Sequence, residues 1–295
     1  MLALLTALGF DWATRRRGLN PPGFDSTPMD STTRRLGDHL RQGFSLALLW
    51  VVFWVGVFMP LGALGLDNEI DVAVLSFPQL FLLHGLLILC VVVWYACGYV
   101  AIPGRPIRSG ESWQAQLGFR ALSIRREIGL GLVAGVGAWL AVLTALVSIG
   151  MAIWWLGGEG LLPTEPPALI PWMAALPIGF RLLLSLSAGV VEETFFRGFL
   201  QPRFGIAAST ALFVLAHASY EQPLMLVGIT ILSLIYGALA KWRQNIWPAI
   251  AAHFLFDSIQ LLVVIPTALD LLPDDGEGVL LPVASSLLST YLSLG

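Results

Sequence analysis

Charge is scarce in this sequence: 12% of its 295 residues are Asp, Glu, Lys or Arg, whereas 57% are hydrophobic. A soluble domain of this length needs a polar shell that such a composition cannot supply, so the chain reads as an integral membrane protein. The charge that exists is nearly balanced, 16 Lys and Arg against 19 Asp and Glu. No Lys- or Arg-rich run has interleaved aromatics, and nucleic acid is not an expected partner. Cysteine is nearly missing as well. Cys90 and Cys97 lie seven residues apart in an apolar run, which in a helix separates them by about 10 Å along the axis. That is too far for a disulfide, and both read as packing residues. There are four histidines and no His-Glu-x-x-His segment, so the strong helical zinc signature is missing. No repeat of fixed period and no matched pair of broken helices is evident, which weighs against an inverted-repeat transporter.

What the sequence has in abundance is apolar runs long enough for a bilayer of about 30 Å. They predict an all-α polytopic membrane protein with about eight transmembrane helices, over Phe44–Leu66, Phe77–Ile102, Ile128–Leu156, Ala175–Leu200, Phe204–Tyr220, Pro223–Ala240, Ile246–Pro266 and Val279–Leu294. Residues 1–43 read as a short interfacial helix, without the basic start of a cleaved signal peptide, followed by a polar linker. Residues 44–127 read as two helices and a basic loop, and 128–295 as the domain that carries the chemistry, with its core at 175–266.

The loops alternate in sign. Arg15, Arg16, Arg17, Arg34, Arg35 and Arg41 precede the first span, and Asp67, Glu69 and Asp71 follow it. Arg105, Arg108, Arg120, Arg125 and Arg126 come next, then Glu159 and Glu165, then Arg197 and Arg203, then Glu221, then Lys241 and Arg243. By the positive-inside rule both termini are expected in the cytoplasm. Arg181 breaks the alternation, which suggests that the fourth span starts near Leu182 with Pro171 to Phe180 at the interface.

Against that background one stretch stands out, Val190-Val191-Glu192-Glu193-Thr194-Phe195-Phe196-Arg197-Gly198. Ionisable groups at membrane depth are expensive, and their presence is a hypothesis about function. Successive helical residues are turned by about 100°, so Glu192 and Glu193 cannot face one partner. Glu193 and Arg197, four apart with the acid first, are placed for an ion pair, which leaves Glu192 for chemistry. Two further helices add Phe213 with His217, and His253 with Asp257, each pair four apart on one face. Either histidine by itself would read as a satisfied side chain. Together, six ionisable groups fall within 66 residues of a very apolar chain. By contrast His84, with no polar companion at helical spacing, reads as a packing or interfacial residue, and His39 as solvated.

These three segments resemble the CPBP intramembrane proteases, also called the CAAX protease and bacteriocin-processing or Abi family, which includes the Rce1-type prenyl endopeptidases. The family pattern is EExxxR, FxxxH, and HxxxN or HxxxD, here Glu192-Glu193 with Arg197, Phe213 with His217, and His253 with Asp257. Phe196-Arg197-Gly198, Trp247-Pro248-Ala249 and Leu117-Gly118-Phe119-Arg120 also agree. The resemblance implies an intramembrane endopeptidase in a bacterial inner or plasma membrane, acting on a membrane-associated peptide or lipidated protein. In that reading Glu192 with His217 activates water, His253 assisted by Asp257 stabilises the oxyanion, and Glu193 with Arg197 holds the first helix. No cofactor is required. The alternative within the family is a zinc ion held by Glu192, His217 and His253. Outside it stands a non-catalytic immunity or scaffold protein that uses the polar cluster for recognition. Asp257 departs from the Asn of many members, and an ionised Asp cannot donate to an oxyanion.

Depth poses a difficulty. Counted at about 1.5 Å per residue from the basic turns, Glu192 lies about 7 Å in, His253 about 12 Å and His217 about 21 Å. Groups that act together must converge, so either the fifth helix tilts or starts deeper, or the helices enclose a water-filled cavity.

Overall fold

A computed structural model describes residues 46–59, 77–96, 112–162, 169–218 and 222–270, with Leu4, Leu40 and residues 43–44. The eighth expected span, the N-terminal interfacial helix with its linker, and His39 lie outside the described residues. Those described are helical, with no strand among them. In chain order the helices are α1 (Leu46–Phe58), α2 (Phe77–Ala96), the short α3 (Trp113–Gln116), α4 (Ile124–Trp155) and α5 (Leu169–Ala175). Next come α6 (Ile178–Glu193), α7 (Gln201–Ala216), α8 (Pro223–Arg243) and α9 (Trp247–Ile259). A π-helical segment, Gln260–Val264, extends α9 toward Asp270.

Among the described residues, four helical stretches are long and apolar enough to cross a membrane: Ile124–Trp155, Ile178–Ala216, Pro223–Arg243 and Trp247–Asp270. The second of these is two helices. Gly205 has φ 87° and ψ 169°, a region that essentially glycine alone adopts, and the chain reverses there. Ser209 Oγ donates to the Phe196 carbonyl at 2.8 Å across 13 residues of sequence; a continuous helix would hold them about 20 Å apart. The fourth and fifth expected spans are therefore antiparallel: the chain runs from α6 through the first residues of α7 to Gly205, where it turns back along the rest of α7.

This placement corrects the charge reading. Arg197 and Arg203, counted among the basic loops, are 2% and 1% exposed and lie before the turn, inside the protein. Arg203 donates to the Phe199 carbonyl at 2.6 Å and lies over the Phe199 ring. Arg181 is also inside its helix, since α6 starts at Ile178, with α5 and its Trp172 as a separate element before it. Its guanidinium donates to the Leu261 carbonyl at 3.0 Å.

Small residues set the packing around α9. Van der Waals contact drives helix association in a membrane, and glycine lets backbones approach closely. Gly131 and Gly135 of α4 lie against Pro248, Ala251 and Ala252, and Gly189 of α6 lies against the Ile250 carbonyl and the Phe254 amide. So α9 is gripped between α4 and α6. The segment Leu117-Gly118-Phe119 fastens the end of this sandwich: the Ile246 amide donates to the Gly118 carbonyl at 3.0 Å. Trp247 Nε1 donates to the Phe119 carbonyl at 2.8 Å, and a Cβ at Gly198 would strike the Leu117 carbonyl. Nearby, Arg243 closes a two-pronged pair on buried Glu127, with Nη2 to Oε1 at 2.6 Å and Nε to Oε2 at 2.9 Å, tying α8 to α4.

Candidate active site

Glu192 and Glu193 end α6, and the chain continues as π-helical turns over Thr194–Leu200. Such turns are rare and recur at functional sites. The hydroxyl of Thr194 donates to the Val190 carbonyl at 2.6 Å, and Ser209 satisfies the Phe196 carbonyl, so polar side chains take up backbone acceptors where the ladder changes register.

The two glutamates part as their 100° rotation requires. Glu193 is fully buried, and its Oε1 accepts from Arg197 Nη1 at 3.0 Å and from His253 Nδ1 at 2.9 Å. Arg197 is enclosed on every other side. Its Nη2 donates to the Ser233 carbonyl at 3.2 Å and to Ser233 Oγ at 3.0 Å, and Ser233 Oγ donates to Thr210 Oγ1 at 3.1 Å. The guanidinium also lies 4.4 Å from the centre of the Phe213 ring. A buried ion pair persists more readily when its remaining donors are met, and Ser233 of α8, backed by Thr210 of α7, supplies acceptors for Arg197.

Glu192 faces the other way, into a cavity of about 760 Å³ whose wall also carries His217, His253, Asp257, Tyr236 and His84. Its Oε2 is buried and makes no hydrogen bond among the described residues. Four of the six expected site residues thus line one space, and Glu193 with Arg197 lies behind it. For Glu192 and His217 the depth difficulty disappears with the turn at Gly205. Glu192 and His217 stand nearly equal numbers of residues on either side of it, each about 18–20 Å along its own helix.

His217 caps α7, and its Nδ1 donates to the Phe213 carbonyl at 2.7 Å. A carbonyl only accepts, so this bond puts the proton on Nδ1 and makes Nε2 of the neutral ring a base. His253 has a different setting. Between Nδ1 on Glu193 and Nε2 at 3.4 Å from Asp257 Oδ2, its ring stacks on Tyr236, centroids 5.2 Å apart and planes 23° apart. Nδ1 of His253 donates to Glu193, and Nε2 lies toward Asp257. Among the described residues no three His, Cys, Asp or Glu side chains form a group that could hold a metal. Glu192, His217 and His253 do not stand together as such a group in this arrangement.

Three participants escaped the sequence reading. His84, read as packing, places Nδ1 2.8 Å from Ser187 Oγ and Nε2 3.4 Å from Glu192 Oε1. Its partners lie 103 and 108 residues away, so spacing within α2 carries no trace of them. Tyr236, fully buried against His253, and Ser233, beneath Arg197, are a tyrosine and a serine in an apolar helix, types that give no signal there.

Helices of membrane length around a largely apolar cavity that carries a few ionisable side chains define a class, an integral membrane protein with an intramembrane site. The comparisons with known proteins narrow it. Residues 174–259 match the family model described as Type II CAAX prenyl endopeptidase Rce1-like, so the segment that holds all six residues is similar to that family. The uncharacterized protein YpbD of Bacillus subtilis (strain 168) is 29% identical over 79 residues, 26% of this chain. The aligned part spans 42% of the length of that relative. No solved structure matches.

Proposed function

We propose that this protein is an intramembrane endopeptidase of the glutamate-dependent kind, which hydrolyses a peptide bond in a membrane-associated substrate, a prenylated CAAX protein or a leader-bearing peptide. The observation that carries the reading is the convergence of Glu192, His217, His253 and Asp257 on one cavity, with Glu193 and Arg197 packed behind. Glu192 takes a proton from water, assisted by His217 through Nε2, and the resulting hydroxide attacks the carbonyl carbon. The oxyanion that forms is stabilised by His253, whose Nδ1 stays on Glu193 while Nε2–H, 3.4 Å from Asp257 in the absence of substrate, turns to donate to it. Collapse of the tetrahedral intermediate breaks the C–N bond, and the proton gained by Glu192 passes to the leaving amine. No step needs a metal. The membrane is a bacterial inner or plasma membrane with both termini on the cytoplasmic side, and the cavity admits water and the substrate segment.

The test is cleavage of prenylated CAAX peptides and of a membrane-protein library by the purified chain in liposomes. Wild type is expected to cleave, with Glu192→Ala and His217→Ala inactive but folded. A wild type that cleaves nothing, and binds a partner equally well without Glu192, supports the scaffold reading instead.

A further inference from the structure

His84 enters the site from α2, outside the residues 174–259 that match the family model. It is 9% exposed, and both ring nitrogens meet polar atoms of α6, Ser187 at 2.8 Å and Glu192 at 3.4 Å. A histidine used for packing alone needs neither. The two contacts also fit one tautomer. Ser187 donates its hydroxyl proton to Nδ1, which leaves the ring proton on Nε2, toward the carboxylate. At 3.4 Å this bond is long, as bonds in a site before substrate arrives often are. Its consequence for Glu192 is geometric. With Oε1 held by His84, Oε2 is the oxygen with no hydrogen bond among the described residues, on a side chain that lines the cavity. The same cavity wall is formed in part by α1 and α2, through Val52, Phe53, Leu83 and His84.

We propose that His84 is a positioning residue: held in one tautomer by Ser187, it donates from Nε2 to Glu192 Oε1 and fixes the carboxylate so that Oε2 meets the water. The site is then completed by a helix that lies outside the matched segment. The effect on turnover rests on the hydrolase reading above, whereas the contact does not, and the experiment separates them.

Thermal melts of the full chain in detergent come first, as a double-mutant cycle of His84→Phe, Glu192→Ala and both. Phe keeps the ring volume and loses the donor. The two shifts are expected not to add, as residues in contact do not; additive shifts overturn the inference whatever the activity. Kinetics on the peptide substrate follow. A hydrogen bond to a charged group corresponds to roughly 10- to 100-fold in rate, so His84→Phe is expected to lower kcat by about that factor with KM little changed. His84→Gln, which carries an N–H near the Nε2 position, is expected to recover most of it, and Ser187→Ala to fall between. An unchanged kcat in His84→Phe, or no rescue by Gln, overturns the positioning role. Coupled melts in a wild type that cleaves nothing leave the contact standing and remove the role in turnover together with the hydrolase reading.

Discussion

One oxygen of Glu193 joins Arg197 to His253. Oε1 accepts both the guanidinium, at 3.0 Å, and Nδ1 of the imidazole, at 2.9 Å, in a place with no exposed surface. The carboxylate that neutralises a buried arginine therefore also orients the histidine on the next wall of the cavity, and its two duties can be separated.

Removing Glu193 by itself leaves Arg197 uncompensated in the interior, a change that costs about 3–5 kcal/mol in comparable buried pairs. Glu193→Ala is expected to melt far below wild type in detergent. Replacing both partners, as in Glu193→Leu with Arg197→Met, is expected to restore most of the stability, because apolar pairs of similar volume substitute well for buried ion pairs. Cleavage is expected to stay low in that double variant, since His253 has lost its acceptor. Recovery of stability together with full cleavage would show that Glu193 does not orient His253.

The grip on α9 gives a second prediction. A Cβ on Gly131 would lie 2.7 Å from Ala251 Cβ and 2.9 Å from Pro248 Cα, so Gly131→Leu must push α9, and with it His253, away from α4. Overpacking of this kind costs typically 1–3 kcal/mol. Six residues along the same helix, a Cβ on Gly137 meets nothing within 4 Å. Gly137→Leu is expected to leave melting and cleavage near wild type, and equal damage from both would mean that α4 and α9 do not pack as described.

Much of this was legible in the sequence, and the reason is local spacing. Glu193 with Arg197 and His253 with Asp257 are each four apart on one helix, a separation that the helix geometry alone brings to contact distance. The motif order then placed Glu192, His217 and His253 in one site before any tertiary contact was known. The turn at Gly205 was not legible, because Arg197 and Arg203 imitate a basic loop although Ser233, Phe199 and two aromatic rings satisfy them inside the protein. His84 was hidden for the opposite reason: on its own helix it meets the Phe81 ring, and the polar residues that answer it are more than a hundred positions away.

Gly205 itself can be tested cleanly. A Cβ there would meet nothing within 4 Å, yet φ is 87°, so Gly205→Ala changes backbone strain and little else. Holding an alanine in such a region costs on the order of 1–3 kcal/mol. The variant is expected to melt lower than wild type with cleavage retained by the folded fraction. A melt unchanged by the substitution would mean that the reversal between α6 and α7 does not need a left-handed residue, and the placement of Glu192 level with His217 would have to be sought elsewhere.

The metal question turns on His253. To bind zinc through either nitrogen, the ring would have to give up Glu193 at 2.9 Å or Asp257 at 3.4 Å, and losing the first would also weaken the hold on Arg197. Metal-free chemistry therefore predicts that protein stripped with a chelator and shown by elemental analysis to hold far less than one zinc per chain keeps its rate. It also predicts that Asp257→Asn, which keeps the shape but not the charge, alters kcat without altering metal content. If the stripped protein is inactive and one equivalent of zinc restores it, His253 must give up Glu193 or Asp257 in the active state, and the arrangement described here is a resting form.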